Sequence, residues 1–253
     1  MSPVREIRII PVPVVGEVLP GEDLAEKLAA SLRHQKLKLQ TGDILVLKHK
    51  IVSKAEGQRL ALAGIKPSRA ARAWARQSGS DPRVIELALA ESARIVRKRK
   101  GVLITQTRHG FVCANSGVDL SNVDGGKAAV LLPKDSDFSA SQLRARINKI
   151  CRVDVAVIIS DSFGRPWREG LTEVAIGLSG IKPLIDYRGH KDPHGYKLHA
   201  SAEAVADELA CAAGLVCGKL NRTPVCVIRG FKFQPAAGSA RELIRPAEYD
   251  LFR

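Results

Sequence analysis

The chain predicts an α+β fold built around a mixed sheet, and three observations carry that expectation. An apolar run rich in β-branched residues, Val155–Ile159, has the character of a central buried strand. Val102–Thr105 and Phe111–Cys113 flank Arg108-His109-Gly110 as the two arms of a hairpin would. Helical stripes and short strands alternate elsewhere, without the regular β–α rhythm of a doubly wound sheet.

In order along the chain, Glu22 and Asp23 precede an i, i+4 stripe of Leu24, Leu28 and Leu32, so an amphipathic helix with acids at its start is expected. Gly42-Asp43 introduces Ile44–Leu47 as a short buried strand, and Pro67–Gln77, rich in Ala and Arg, reads as a helix. Asp81 stands at the cap of a helix with Pro82 at its first position and Val84, Leu87 and Ala88 on its apolar face. Lys127–Leu132 follows the hairpin as a strand, and Ser139–Lys149 as a helix. Beyond the central run, Val174–Leu178 and Ile181–Ile185 are expected as strands, Ala200–Cys217 as a long helix of small residues, and Val225–Ile228 as a closing strand. A single domain over residues 1–253 accommodates the pattern, with Pro133–Asp137 as the candidate connection between two lobes.

Of the 253 residues 45% are hydrophobic and 26% charged, the balance of an ordinary globular protein. No apolar run approaches the roughly 18 residues that cross a bilayer, and no secretory h-region follows Met1. Five cysteines (113, 151, 211, 217 and 226) lie mostly in apolar runs with no CxxC pair, as expected for reduced thiols in a cytoplasmic protein. Lys and Arg number 40 against 26 Asp and Glu, a net charge of +14, which asks for an anionic partner. Aromatic residues are 4%, too few for the stacking platforms that hold single-stranded nucleic acid, so neither nucleic acid nor membrane is the expected partner. The basic run 94–100 reads as a solvated helix end.

Four polar clusters are candidates for chemistry. Ser160-Asp161-Ser162-Phe-Gly-Arg165-Pro-Trp-Arg168 follows the buried run. A carboxylate at the end of a buried strand before a Gly-bearing turn suits a metal ligand; equally, Asp161 caps the next segment. Asn115-Ser-Gly-Val-Asp119-Leu-Ser-Asn122 offers a carboxylate and two amides around Gly117. Asp119 and Asp161 are suited to share a hard divalent cation with phosphate oxygens, and an Asx-type hydrogen-bonded loop is the plainer alternative for the second cluster. His49-Lys50-Ile-Val-Ser53-Lys54 supplies donors for phosphate, although GxxxxGK[ST] is absent and a solvated basic strand end is the simpler reading. Asp186–Gly195, with His190, His194 and nearby His199, reads as a mobile substrate loop in preference to a transition-metal cage.

Taken in this order, these clusters resemble the coenzyme F420-0:γ-glutamyl ligase family. The matching pieces are Val52-Ser-Lys-Ala-Glu-Gly57, Ala114-Asn-Ser-Gly-Val-Asp-Leu-Ser-Asn-Val123, Ser160–Arg168, Ala175-Ile-Gly177, Asp186-Tyr-Arg-Gly189, Ala206-Asp-Glu-Leu209, Leu243-Ile-Arg-Pro and Asp250-Leu-Phe-Arg253. The resemblance implies a ligase that consumes GTP, phosphorylates the terminal carboxylate of F420-0 and lets the amine of L-glutamate displace phosphate. It implies Mg²⁺ or Mn²⁺, with K⁺ as a further ion, and a two-lobed subunit in an intertwined homodimer. By the same resemblance Asp119 and Asp161 are catalytic and hold the metal together with the Ser162 hydroxyl. Pro13, Val14, Val15 and Gly16, then His49, Lys50 and Lys54, then Asn122, and finally Gly218, Lys219, Leu220 and Asn221 surround the nucleotide.

One stretch departs from the family pattern. Relatives commonly carry Gly-Gln or Gly-Glu followed by acidic or Gly residues where this chain has Gly218-Lys219-Leu220-Asn221-Arg222. A cation at Lys219 either costs a second metal one of its ligands or adds a phosphate contact. Two other readings of the chain are the same ligase chemistry on another carboxylated pterin- or flavin-like acceptor, and a basic nucleic-acid-binding protein. The second of these leaves the Asp119/Asp161 pair without a role.

Overall fold

A computed structural model gives the fold of residues 6–99 and 101–250. Residues 1–5, Lys100 of the basic run and the last three residues of the closing motif lie outside the described residues. In chain order the elements are β1 (Arg8–Val12), α1 (Leu24–His34), β2 (Ile44–Lys48), α2 (His49–Ala55), β3 (Arg59–Ala61), α3 (Arg69–Ser78), α4 (Pro82–Ala90), β4 (Ser92–Arg99) and β5 (Val102–Thr107). They continue with β6 (Val112–Ala114), β7 (Ala128–Val130), α5 (Ser136–Cys151), β8 (Ala156–Arg165), β9 (Arg168–Ser179), β10 (Ile185–Asp186), β11 (Ala202–Glu203), α6 (Val205–Cys217) and β12 (Val225–Arg229).

The main sheet has the order β1-β12-β2-β8-β9, with β2 and β8 parallel and the other neighbours antiparallel, so the expected α+β fold with a mixed sheet is what forms. Its inner strands are apolar on both faces because helices cover both. Leu45, Leu47, Val157, Ile159, Val225 and Val227 pack in one cluster with α1 and α5. Ile44, Val46, Ala156, Ile158, Cys226 and Ile228 pack in another with α6. Period-2 alternation thus assigns each residue to one of two cores. Between α2 and α5, helix α4, strand β5 and the pair β3-β7 contribute to a separate cluster that includes Leu62, Leu87, Leu103, Val118 and Leu131, and α3 packs on α4 through Ala71, Ala75 and Ile85. Among the described residues no helix is long and apolar enough to cross a membrane, and the five cysteines are unpaired.

The stripe on α1, the Asp81 cap of α4 and the 102–113 hairpin form where expected, and the helix expected over Ser139–Lys149 forms as the longer Ser136–Cys151. The 133–137 segment is pinned at its end: Asp135 caps α5, and Asp137 accepts the N–H groups of Leu178 and Ala240 and the Ser239 hydroxyl. Gly177 is required here, since a Cβ on it would stand 2.3 Å from the Ser136 carbonyl oxygen.

Five expectations need correction. The central strand does not end at Ile159; it runs to Arg165, and Asp161 pairs with Val174 inside the ladder instead of capping a turn. Residues 49–55 form a helix in place of a strand end. The basic run is strand β4 and not a helix end, because it pairs with β5. Residues 181–184 are not strand: Pro183 has no N–H for a ladder, and only Ile185 and Asp186 pair. Helix α6 starts at Val205, five residues later than expected, because Ala202 and Glu203 pair with β10.

Candidate active site

Helix α2 begins directly after β2, and its periodicity sorts the basic cluster into two faces. His49 and Ser53, four residues apart, are buried, with Nδ1 and Oγ 3.3 Å from one another. Lys50 and Lys54, also four apart, face a cavity of about 890 Å³. That cavity is closed by Val14, Gly16, Glu17 and Val18 beside β1, by Lys48 and α2, by the 120–126 loop, and by the 217–224 loop after α6.

The 120–126 loop approaches through strained backbone. Asn115, Ser116, Asn122 and Asp124 all have left-handed φ, between 39° and 57°. Two anchors hold it. The Ser116 hydroxyl lies 2.7 Å from both Thr105 Oγ1 and the Ala88 carbonyl oxygen, and the Asp119 backbone pairs with Val130. The Asp119 carboxylate then accepts Lys50 Nζ at 2.7 Å and the Ser121 N–H at 2.7 Å. The expected Asx-type loop and the expected ligand position are therefore the same residue. Burial raises the Asp119 pKa, but Lys50 and the Ser121 N–H lower it by more, so it stays below the usual aspartate value.

Asp161 reaches the same region from β8. The register between β8 and β9 shifts between Ile159 and Ser160, a bulge of the kind that re-aims side chains near sites. Its carboxylate is 14% exposed, with His49 Nε2 at 3.3 Å. Burial and the neighbouring Asp119 push its pKa up, whereas His49 and the Ser162 N–H bring it down, leaving it below the ordinary value. The two carboxylates feel one another, are ionised, and carry hard oxygen donors. The buried Nε2 of His49 finds no aligned hydrogen-bond partner beside them. Two ionised carboxylates with hard oxygen donors suit a divalent cation. Among the described residues no group of three or more His, Cys, Asp or Glu converges as a cage, and His190, His194 and His199 lie on or beside an exposed loop.

The structure brings together many of the sequence-derived candidates. Val14, Gly16, Lys50, Lys54, Asn122, Gly218, Lys219 and Leu220 line the cavity, and Asn122 Nδ2 donates to the Lys219 carbonyl at 3.4 Å. Pro13, Val15, Asn221, Asp119, Asp161 and Ser162 do not line it; Asp119 lies beside it through its ion pair with Lys50. His49 faces Asp161 instead of the cavity, so its place is behind the carboxylate pair and not among the phosphate donors. Ser162 Oγ is engaged by Glu173 and Lys219, each at 2.6 Å. Arg165, Arg168 and Arg188 do not line the cavity, and Arg188 is clamped by Asp186. Lys48 and Glu173 were not singled out from sequence. A lysine closing an apolar strand, and a glutamate two residues before Ala175-Ile-Gly177, where β9 passes from exposed to buried, were the available signals.

Lysines line the cavity where loops gather at the ends of β2 and β8, and two ionised carboxylates lie beside it, a distribution of charge suited to an anion. Residues 14–230 match the family described as F420-0:Gamma-glutamyl ligase, and the chain belongs to that family. It is 44% identical to the coenzyme F420:L-glutamate ligase of Methanopyrus kandleri over the full length of both chains. It is 43% identical to that of Methanothermobacter thermautotrophicus, covering 95% of each, and 43% identical to that of Methanocaldococcus jannaschii, covering 96% of this chain and 97% of the relative.

Proposed function

We propose that the chain is a cytoplasmic, GTP-dependent ligase, of the γ-glutamyl ligase class, that joins the amine of L-glutamate to the terminal carboxylate of F420-0 in an amide bond. The observation that carries this reading is a cavity lined by Lys48, Lys50 and Lys54, with Asp119 bonded to Lys50 beside it and Asp161 close enough to feel Asp119, in a chain similar along its length to coenzyme F420:L-glutamate ligases. In the proposed reaction a carboxylate oxygen of F420-0 attacks the γ-phosphorus of GTP, and the bond to the β-phosphate oxygen breaks, giving an acyl phosphate and GDP. The amine of L-glutamate attacks the acyl carbon, phosphate leaves with the C–O electron pair, and the nitrogen loses a proton to solvent.

Lys48, Lys50 and Lys54, which line the cavity, would hold triphosphate oxygens, with Asn122 beside them and bonded to the Lys219 carbonyl. Asp119 and Asp161 would hold Mg²⁺ or Mn²⁺, which when bound neutralises charge on the phosphoryl oxygens. His49 lies behind Asp161, its Nε2 3.3 Å from that carboxylate.

Incubation with F420-0, L-glutamate, GTP and Mn²⁺ or Mg²⁺, with and without K⁺, tests the reading by mass spectrometry. The expected result is glutamyl addition with one GDP and one phosphate per amide. Addition to another carboxylated pterin- or flavin-like acceptor, with none on F420-0, would transfer the activity to that acceptor. A homodimer is also proposed, supported by Val102 and Val112, exposed on paired strands of the β4-β5-β6 sheet. Light scattering should give twice the chain mass, and Val102→Asp should lower it.

A further inference from the structure

Glu173 in β9 pairs across the ladder with Ser162 in β8, and its side chain is 8% exposed. The carboxylate accepts Ser162 Oγ at 2.6 Å and Ser160 Oγ at 3.0 Å, and it forms an ion pair with Lys48. Lys219, from the loop after α6, donates to the same Ser162 oxygen at 2.6 Å. Helix α6 leaves room for this arrangement at Gly214, where a Cβ would stand 2.7 Å from Glu173 Cγ. One buried carboxylate therefore anchors two ammonium groups that line the cavity, Lys48 directly and Lys219 through a hydroxyl.

This network leaves Ser162 poorly suited to a metal. Its proton goes to Glu173, and its oxygen takes an N–H of Lys219. The neutral Ser162 oxygen has one lone pair left for a divalent ion beside an ammonium 2.6 Å away, whereas the charged Asp119 carboxylate has lone pairs for both Lys50 and a cation. Burial pushes the Glu173 pKa up, yet Lys48, Ser162 and Ser160 together bring it below the usual glutamate value, so the anchor is ionised. With Glu173 negative and both lysines positive, the network presents one net positive charge to whatever anion the cavity holds.

We infer that Lys219, seated on Ser162 and Glu173, is a built-in second cation of the phosphate site, so that this chain works with one divalent ion, at Asp119 and Asp161. The inference rests on the nucleotide reading proposed above. Lys219 contacts the phosphates; Glu173 is a positioning residue that aims both ammoniums without touching the nucleotide. The serine hydroxyl that the family resemblance assigned to the metal is in this chain the seat of a lysine.

The test uses the full chain saturated with a non-hydrolysable GTP analogue and titrated with Mn²⁺ under electron paramagnetic resonance. The wild type should take up one Mn²⁺ per subunit, and Lys219→Gln, which frees Ser162 and supplies an amide oxygen, should take up two. Two ions on the wild type would overturn the inference, and so would one ion on both proteins. In EDTA, calorimetry should show the analogue binding about tenfold more weakly to Lys219→Gln, as loss of a charge-assisted hydrogen bond implies, and less weakened by Glu173→Gln. Equal affinities for wild type and Lys219→Gln would overturn the phosphate contact. Should Glu173→Gln fail to fold by circular dichroism, Lys219→Gln, in an exposed loop, carries the test alone. A wild type that binds no guanine nucleotide under any condition defeats the ligase reading itself, whereas nucleotide binding with two ions defeats this inference alone.

Discussion

Two stretches of the chain hold dense positive charge and use it in opposite ways. Around the cavity, Lys48, Lys50 and Lys54 are each less than one-fifth exposed, and each meets a carboxylate, of Glu173, Asp119 and Glu17 respectively. On β4, Arg94, Arg97, Lys98 and Arg99 lie along an outer strand of the small sheet, and among the described residues none forms an ion pair with a carboxylate. Arg94 donates to the Gln106 amide at 2.7 Å, and Lys98 stands 5.6 Å from the centre of the Trp74 ring. A cation drawn away from water needs a fixed anion, whereas an exposed one keeps its hydration and is screened by salt. Composition counts both sets alike. Geometry separates the lysines that can recognise an anion's shape from the arginines that set only the sign of the surface.

Removing a carboxylate partner has the largest expected effect. Asp161→Asn and Asp119→Asn each remove one of the two negative charges proposed to hold the divalent ion, and turnover should fall at least about 10²–10³-fold, the scale seen when one group that stabilises transition-state charge is lost. Circular dichroism should be unchanged, and EDTA should produce the same loss in the wild type, reversed by Mn²⁺. Turnover within tenfold of wild type in both variants would take the pair out of the chemistry.

Removing a cavity lysine should matter less. Lys54→Ala deletes an ammonium that bonds Glu17 at 2.9 Å and approaches the Asn122 carbonyl at 3.5 Å. GTP should bind about tenfold more weakly, in line with one charge-assisted contact, and the rise in melting temperature that GTP produces should shrink accordingly. An unchanged rise would show that Glu17, and not phosphate, is this lysine's only partner.

How far these features could be read from sequence depended on whether local pattern or tertiary pairing decided them. The 155–159 run announced itself because both of its faces are buried. Its continuation through Ser160-Asp161-Ser162-Phe-Gly-Arg165 looked like a turn, since Gly164 and Pro166 are breakers and the side chains are polar; pairing with β9 overrode that signal. Helix α2 was hidden because its buried face carries His49 and Ser53, polar residues that a hydrophobic pattern does not register. Strand β1 contains Pro11 and so reads as a non-strand, yet it is the sheet's edge, where a missing N–H is tolerated. In the site, Asp119 and Asp161 stood out through the motifs that contain them. Glu173 did not, because its role comes from cross-strand register with Ser162 and from the space at Gly214, neither of which is local in sequence.

A smaller effect concerns acid. Glu173 has a folded pKa below its unfolded value of about 4.3, so the stability it contributes is complete above that value and is lost as pH falls through the folded pKa. Melting temperature should therefore decline as pH drops below about 4, and Glu173→Gln should flatten that decline while lowering the melting temperature at pH 7. A decline equally steep in the variant would assign the acid lability to other carboxylates, Asp119 and Asp161 first among them, since both are also shifted down.

The smallest effect belongs to the other side of the contrast. Arg97 and Arg99, with Val102 and Ile104, line a separate open groove and not the cavity. In the double variant Arg97→Ser, Arg99→Ser, GTP affinity should stay within about twofold of wild type at physiological ionic strength, where exposed charges are screened beyond about 8 Å. At low salt a modest fall in association rate is expected, because the excess of 40 basic over 26 acidic residues still steers anions toward the surface. A tenfold loss at physiological salt would instead mean that β4 reaches a cavity, and within one subunit these arginines do not line it. That outcome would place a second copy's β4 against the nucleotide and turn the two charged regions into one site shared across the dimer.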